Sequence, residues 1–173
     1  MLSKIHSYGL QGIEGFTVEV EVDITPGLPK FEMVGLADTA IKEAKERVRS
    51  AIRNSGYNYP VKRITVNLAP ADVKKEGPLY DLAIAIGVMC ADDKDGVKGL
   101  TSERARNFVV IGELSLNGEV KGVRGVLPIL ISARKAGCKN FIIPAANSSE
   151  ASFIEGVIVY GININAFNKA CLT

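Results

Sequence analysis

The chain has no tryptophan, a single histidine and three cysteines in 173 residues, and only 6% of it is aromatic. His6 alone, with Cys90, Cys138 and Cys171 far apart and forming no CxxC pair, gives too few donors in any one neighbourhood for a transition-metal site. The cysteines lie in apolar or element-terminal stretches and read as small core fillers. No apolar run approaches the roughly 18 residues of a membrane span. Met1-Leu2-Ser3-Lys4-Ile5-His6 lacks the basic flank, apolar stretch and cleavage site of a signal peptide, so a cytoplasmic location without disulfides or a membrane partner is expected. Also missing is G-x-x-x-x-G-K-[ST], for no Gly-Lys dipeptide occurs, and without that phosphate-cradling loop the chain is expected neither to bind nor to hydrolyse ATP. The acidic run Asp92-Asp93-Lys94-Asp95-Gly96 is a poor calcium loop. Counting from its glycine puts Ala91 and Ser102 where the first and last ligands belong, and a solvated turn fits better.

What is present is a globular composition, 47% hydrophobic and 23% charged, on a chain of ordinary single-domain length. A net charge of +2 permits nucleic-acid binding without demanding it, so the distribution of charge matters more than its sum.

Strict alternation from Phe16 to Ile24 predicts a half-buried strand, and Phe31-Glu32-Met33-Val34, after the break at Pro26-Gly27-Leu28-Pro29, reads as its hairpin partner. Asp38 is placed to cap a helix whose apolar positions Ile41, Ala44, Val48, Ala51 and Ile52 recur at helical spacing up to Asn54-Ser55-Gly56. A strand at Arg63–Leu68 leads through a polar loop into a helix from about Leu79 to Cys90 that has almost no polar face and must be central. Phe108 to Leu116, the turn Asn117-Gly118 and Glu119 to Lys121 predict a hairpin. A helix from about Leu127 to Lys135, short strands at Asn140–Pro144 and Val157–Tyr160, and a last helix from Ile164 to Cys171 complete a mixed α/β pattern of hairpins followed by β/α units.

The segments Ile64-Thr65-Val66-Asn67-Leu68-Ala69-Pro70-Ala71-Asp72, Glu76-Gly77-Pro78 and Ile111-Gly112-Glu113-Leu114 resemble the Lon-type peptidase domain in order and spacing. More specifically, Gly27-Leu28-Pro29, Met33-Val34-Gly35-Leu36, Lys42-Glu43-Ala44, Arg47 to Ile52 and Asn54-Ser55-Gly56-Tyr57 resemble the N-terminal domain of the ComM/YifB magnesium-chelatase-like AAA+ ATPases, over about residues 1–160. The resemblance implies an α/β fold similar to the second domain of ribosomal protein S5. It implies a role as a non-catalytic accessory domain, supporting ring assembly or DNA guidance in a motor that acts on DNA in recombination or natural transformation. It further implies an AAA+ module beyond Thr173 that would bind ATP and Mg, and a homo-hexamer.

Active Lon-type peptidases carry a serine after the Gly-Pro of the helix-opening loop and a lysine on a later helix, the amine serving as base for the hydroxyl nucleophile. Here Leu79 follows Gly77-Pro78, and alignment through Gly118 and Gly137 puts Leu127 at the lysine position. Neither side chain can carry a proton, so no catalytic residue is assigned. The two leucines are expected to meet as a hydrocarbon plug in the vacated site. A displaced dyad built from Ser115 or Ser132 with Lys121 is the rival enzymatic reading, and a free-standing nucleic-acid-binding module like that of ribosomal protein S5 is a third. Two carboxylates flank the vacant position, Glu76 and Asp81, the latter read as stabilising the helix start.

One feature is not required by packing. Lys42, Lys45, Arg49 and Arg53 recur at i, i+3, i+7 and i+11, within an arc of about 80° on one helix. Such a stripe is a candidate phosphate track, weighed against an ordinary solvated flank edged by Glu46. No aromatic residue interleaves it, so contact with the nucleic-acid backbone rather than base stacking is expected.

Overall fold

The computed structural model describes residues 1–92 and 101–163. The chain opens on a long antiparallel hairpin, β1 (Leu2–Gln11) and β2 (Glu14–Thr25). The alternation of β2 sends Val18, Val20, Val22 and Ile24 into the core. In β1 the inward positions are Ser3, Ile5 and Ser7, two of them hydroxyls, and a hydrophobic pattern cannot reveal them. Their polarity is satisfied by carbonyls, Ser3 Oγ donating to Gly87 O at 2.7 Å and Ser7 Oγ to Val110 O at 2.8 Å.

The predicted partner of β2 needs correction. Strand β3 (Lys30–Val34) runs parallel to β4 (Arg63–Ala69), and β4 is antiparallel to β2. The chain between β3 and β4 crosses over through α1 (Thr39–Lys42) and α2 (Ala44–Asn54), and a connection that carries helices permits parallel pairing. Asp38 does cap this region, its Oδ1 accepting from Ile41 N at 2.8 Å, but the single helix predicted there is interrupted at Glu43. Val48, Ala51 and Ile52 of α2 are fully buried.

A 3-10 turn at Pro78–Tyr80 opens α3 (Asp81–Ala91), all eleven of whose residues are buried. Gly87 allows its close approach to the sheet, since a Cβ there would stand 2.6 Å from Val22 Cγ2. After α4 (Ser102–Ala105), the strand predicted over Phe108 to Leu116 divides into β5 (Val109–Val110), which joins the main sheet, and β6 (Glu113–Leu114), which pairs with β7 (Val120–Lys121) across the predicted turn. The division falls at Ile111-Gly112, where the chain docks on the start of α3: Gly112 N donates to Leu79 O at 2.8 Å and Leu82 N to Gly112 O at 3.0 Å. Helix α5 (Val126–Lys135), β8 (Asn140–Pro144), α6 (Ser148–Ala151) and β9 (Ile158–Ile162) follow. The predicted helix from Ile164 to Cys171, and the loop beyond Asp92, lie outside the described residues.

The main sheet has the order β3-β4-β2-β1-β5-β8-β9. Alternate residues feed two cores on its opposite faces. Ile5, Val110 and Ile142 join α2 and α3 on one face, while Tyr8, Val109, Phe141 and Ile143 join Val126, Ile129, Leu130 and Ala133 of α5 on the other. No helix among the described residues is long and apolar enough to cross a membrane.

Candidate nucleic-acid interface and the vacant catalytic positions

The loop that would carry a Lon-type nucleophile is held from three sides. Asp38 Oδ2 accepts from Gly77 N at 3.0 Å, Leu79 and Leu82 are bonded to Gly112, and Lys75 is fully buried beneath. The Lys75 amine donates to Gly35 O at 2.9 Å and to Pro70 O, and desolvation holds its pKa below the ordinary lysine value. Leu79, half-buried, packs against both cores.

Leu127 stands in different surroundings. It lies on the face of α5 turned away from the core positions 126, 129, 130 and 133, in a shallow groove with Ile131, Arg134, Lys135, Phe153 and Ile154. Its N–H donates to Glu150 Oε2 at 3.3 Å, and it is not among the side chains packed on either core. The leucine plug expected from alignment is therefore not what fills the space beside Leu79; residues of both cores do. Leu127→Lys places an amine at a half-exposed position within reach of Glu150, so its cost in urea unfolding is expected to be under about 1 kcal/mol. Leu79→Ser removes hydrocarbon from between two cores and should cost about 2 kcal/mol. A larger loss for Leu127→Lys than for Leu79→Ser would contradict this placement.

The other candidates for acid, base or nucleophile are engaged elsewhere. Asp81 is 1% exposed and takes a bidentate contact from Arg47, with Nε at 2.6 Å and Nη2 at 3.0 Å, and a third bond from Leu114 N at 3.2 Å. Burial pushes its carboxyl up, against the pull of the guanidinium and the Leu114 amide. The pair joins α2 to α3 and β6, so Asp81 does more than stabilise a helix start. Glu76 is exposed and pairs with Lys74 at 2.7 Å. Ser115 Oγ bonds Asn117 Oδ1 and Glu119 O within the hairpin turn, Ser132 Oγ accepts from Gly15 N at 2.9 Å, and Lys121 pairs with Glu119 at 2.7 Å. His6 is half-buried on β1 opposite Val109. Among the described residues no three His, Cys, Asp or Glu side chains converge as metal ligands would.

The basic stripe presents a different picture. Lys42, Lys45, Arg49 and Arg53 are all exposed, Lys42 on α1 and the other three on α2. Lys45 makes a long contact with Glu46 at 3.9 Å, and among the described residues no ion pair forms to Lys42, Arg49 or Arg53. The stripe does not end where the helix does. Gly56, at φ +85°, reverses the chain in a Schellman motif in which Tyr57 N donates to Ile52 O at 3.2 Å and Gly56 N to Arg53 O at 3.1 Å. That reversal lays Tyr57, Asn58 and Tyr59 beside Arg49 and Arg53 around an open cleft of about 420 Å³. Both tyrosines pack one side against the α2–α3 core, and burial pushes the Tyr59 hydroxyl up to about 12, keeping it a donor. Reasoning along one helix face missed these aromatics, although Asn54-Ser55-Gly56-Tyr57 carries the helix-stop signal that positions them. A larger cleft of about 860 Å³, with His6, Phe108, Lys139 and Tyr160 in its walls, extends to Ile162, beside the last described residue.

The fold is a mixed α/β domain of the Lon-like type, with exposed cations and two half-buried tyrosines gathered at the end of α2. Residues 20–147 match the family described as subunit ChlI of Mg-chelatase, and the chain belongs to that family. It is 44% identical over 155 residues to the uncharacterized protein YifB of Escherichia coli, and 41% identical over 159 residues to competence protein ComM of Haemophilus influenzae. These alignments cover 90% and 92% of this chain but 29% and 30% of the relatives, so the chain spans about a third of their length. A Lon protease of Halothermothrix orenii is 27% identical over 161 residues, covering 89% of this chain and 20% of that protein.

Proposed function

We propose that this chain is a non-catalytic accessory domain that contacts DNA for a magnesium-chelatase-like AAA+ ATPase, with a role in DNA uptake or recombination of the kind the name of its competence relative suggests. The observation that carries the reading is the row of exposed cations on α1 and α2, three of them without a carboxylate partner among the described residues. A surface lysine or arginine left unpaired beside available glutamates is placed for an external anion, and repeated phosphates match a row of cations better than a single small anion does. Leu79 after Gly77-Pro78 supplies no nucleophile, and Ser115, Ser132 and Lys121 are bonded elsewhere, which favours an accessory role over peptide hydrolysis. Within the whole protein, ATP and Mg would belong to the AAA+ module rather than to this domain. The motor would work as a cytoplasmic homo-hexamer, with this domain guiding DNA toward the ring.

The chain should bind duplex DNA weakly and without sequence preference, with log affinity falling on log salt by about 0.9 per phosphate contact. Lys45→Glu combined with Arg49→Glu should weaken binding to every sequence alike, measured by fluorescence anisotropy at low ionic strength. Unchanged binding in that variant would return the stripe to a solvated helix flank.

A further inference from the structure

The cleft at the end of α2 combines what no single helix face offers: two guanidinium groups without an ion-pair partner among the described residues, and two aromatic rings whose backbone is fixed by a capping motif. Arg49 and Arg53 are one helical repeat apart on the exposed flank, and Tyr57 is returned to their side by the left-handed Gly56. The far side of this helix end is also held. Asn54 Nδ2 donates to Leu116 O at 2.6 Å, and Gly118 lies so close to Ser55 that a Cβ there would stand 2.3 Å from Ser55 Oγ. The backbone of the cleft is therefore set before any ligand arrives, and the ordering cost that remains on binding is that of the two exposed arginine side chains.

We propose that this cleft is a single-stranded nucleic-acid site, in which Arg49 and Arg53 take a backbone phosphate and the ring of Tyr57 stacks on the adjoining base. In duplex DNA the bases are stacked on one another and turned inward, so a ring beside a phosphate-binding cation has no base to meet. In a single strand the base is free to turn toward it. A cation pair with a flanking ring thus distinguishes the two forms, where a bare cationic stripe would not. Asn58 and Tyr59, which also line the cleft, add donors for sugar or phosphate oxygens. The inference rests on the DNA-contact reading above and narrows it to a strand form and a contact residue.

The test uses the chain with three labelled probes at one low ionic strength: an oligothymidylate, an abasic oligomer of equal length and phosphate count, and a duplex. Oligothymidylate should bind on the order of 10-fold more tightly than the abasic strand, the size expected for one stacked base. Tyr57→Leu, which keeps an apolar contact with the core, should abolish that difference while leaving abasic binding unchanged, and Tyr57→Phe should preserve it. Because the chain has no tryptophan to mask its five tyrosines, part of the tyrosine emission should be quenched by oligothymidylate but not by the abasic strand, and that quenching should be lost in Tyr57→Leu. Arg49→Gln with Arg53→Gln should weaken binding to both. Equal affinity of the unaltered chain for the two single strands would overturn the stacking site while leaving the phosphate-track reading standing. So would a preference for the base-bearing strand that survives Tyr57→Leu. Failure to bind any of the three probes would overturn both readings.

Discussion

Replacing Arg47 with alanine is expected to destabilise the fold by about 3–5 kcal/mol at neutral pH, the largest loss of any surface-reaching side chain described here. Arg47 is only 19% exposed and supplies two of the three hydrogen bonds received by the buried Asp81 carboxylate. Without it one backbone amide is left to compensate a full charge at the junction of α2, α3 and β6. The reciprocal change should be milder. After Asp81→Ala, Arg47 retains the Ala40 carbonyl at 2.7 Å and has Glu43 at 3.8 Å, on the solvent side. Acid should narrow the gap between Arg47→Ala and the unaltered chain. Burial raises the Asp81 carboxyl above its ordinary value, and loss of the guanidinium raises it further. The folded variant then binds the proton at higher pH than its unfolded chain does, so its stability rises as pH falls from neutrality toward the ordinary aspartate range. Urea unfolding at several pH values measures this, and a loss below about 1 kcal/mol that does not change with pH would show that the pair contributes little.

Gly35→Ala is expected to cost about 3 kcal/mol or more, for two reasons acting together. Gly35 sits at φ +99°, which an alanine adopts only under strain, and a Cβ there would stand 2.3 Å from Leu68 O, an atom of the adjacent strand backbone that cannot step aside. The Gly35 carbonyl also receives the buried Lys75 amine, so any shift of the β3–α1 turn disturbs the loop that leads to Gly77. Gly12→Ala isolates the first reason. Its φ is +64° and nothing lies within 4 Å of the added carbon, so about 1 kcal/mol is expected. Thermal unfolding of the two variants should separate by a wide margin. Similar losses would mean that the strand gives way at Leu68.

Elements that fold by their own periodicity were legible in the sequence: β2 by its alternation, α2 by its apolar spacing and its Gly56 stop, α3 by the absence of any polar face. What could not be read depended on distant neighbours. Ser3 and Ser7 face the core of β1 because Gly87 and Val110 supply carbonyls from more than 80 residues away, so that strand carries no hydrophobic signature. The pairing of β2 was misassigned because adjacency in sequence favours a hairpin, and the helical crossover that sends β3 to β4 instead shows only in space. At the candidate site the cations were visible by spacing on one helix, whereas Tyr57 and Tyr59 lie past its end and reach the same place only through a turn. The expectation that Leu127 meets Leu79 came from an alignment, and an alignment does not report which side of α5 looks inward.

The strand order also bears on how the chain is born. Every main-sheet strand drawn from residues 2–69 lies on one side of the β1–β5 boundary and every strand drawn from residues 109–162 lies on the other, with His6 and Val109 as the single registered pair between β1 and β5. A nascent chain leaving the ribosome can therefore complete β3-β4-β2-β1 with α2 and α3, using mostly nearby contacts, before the second half exists. During that interval β1 is an open edge, its hydrogen-bonding groups awaiting strands about a hundred residues downstream, and an open edge invites pairing with another chain. The brevity of the eventual seam suits this order of events: the second half needs only a short, sharply registered contact to dock on an edge that the first half has already shaped.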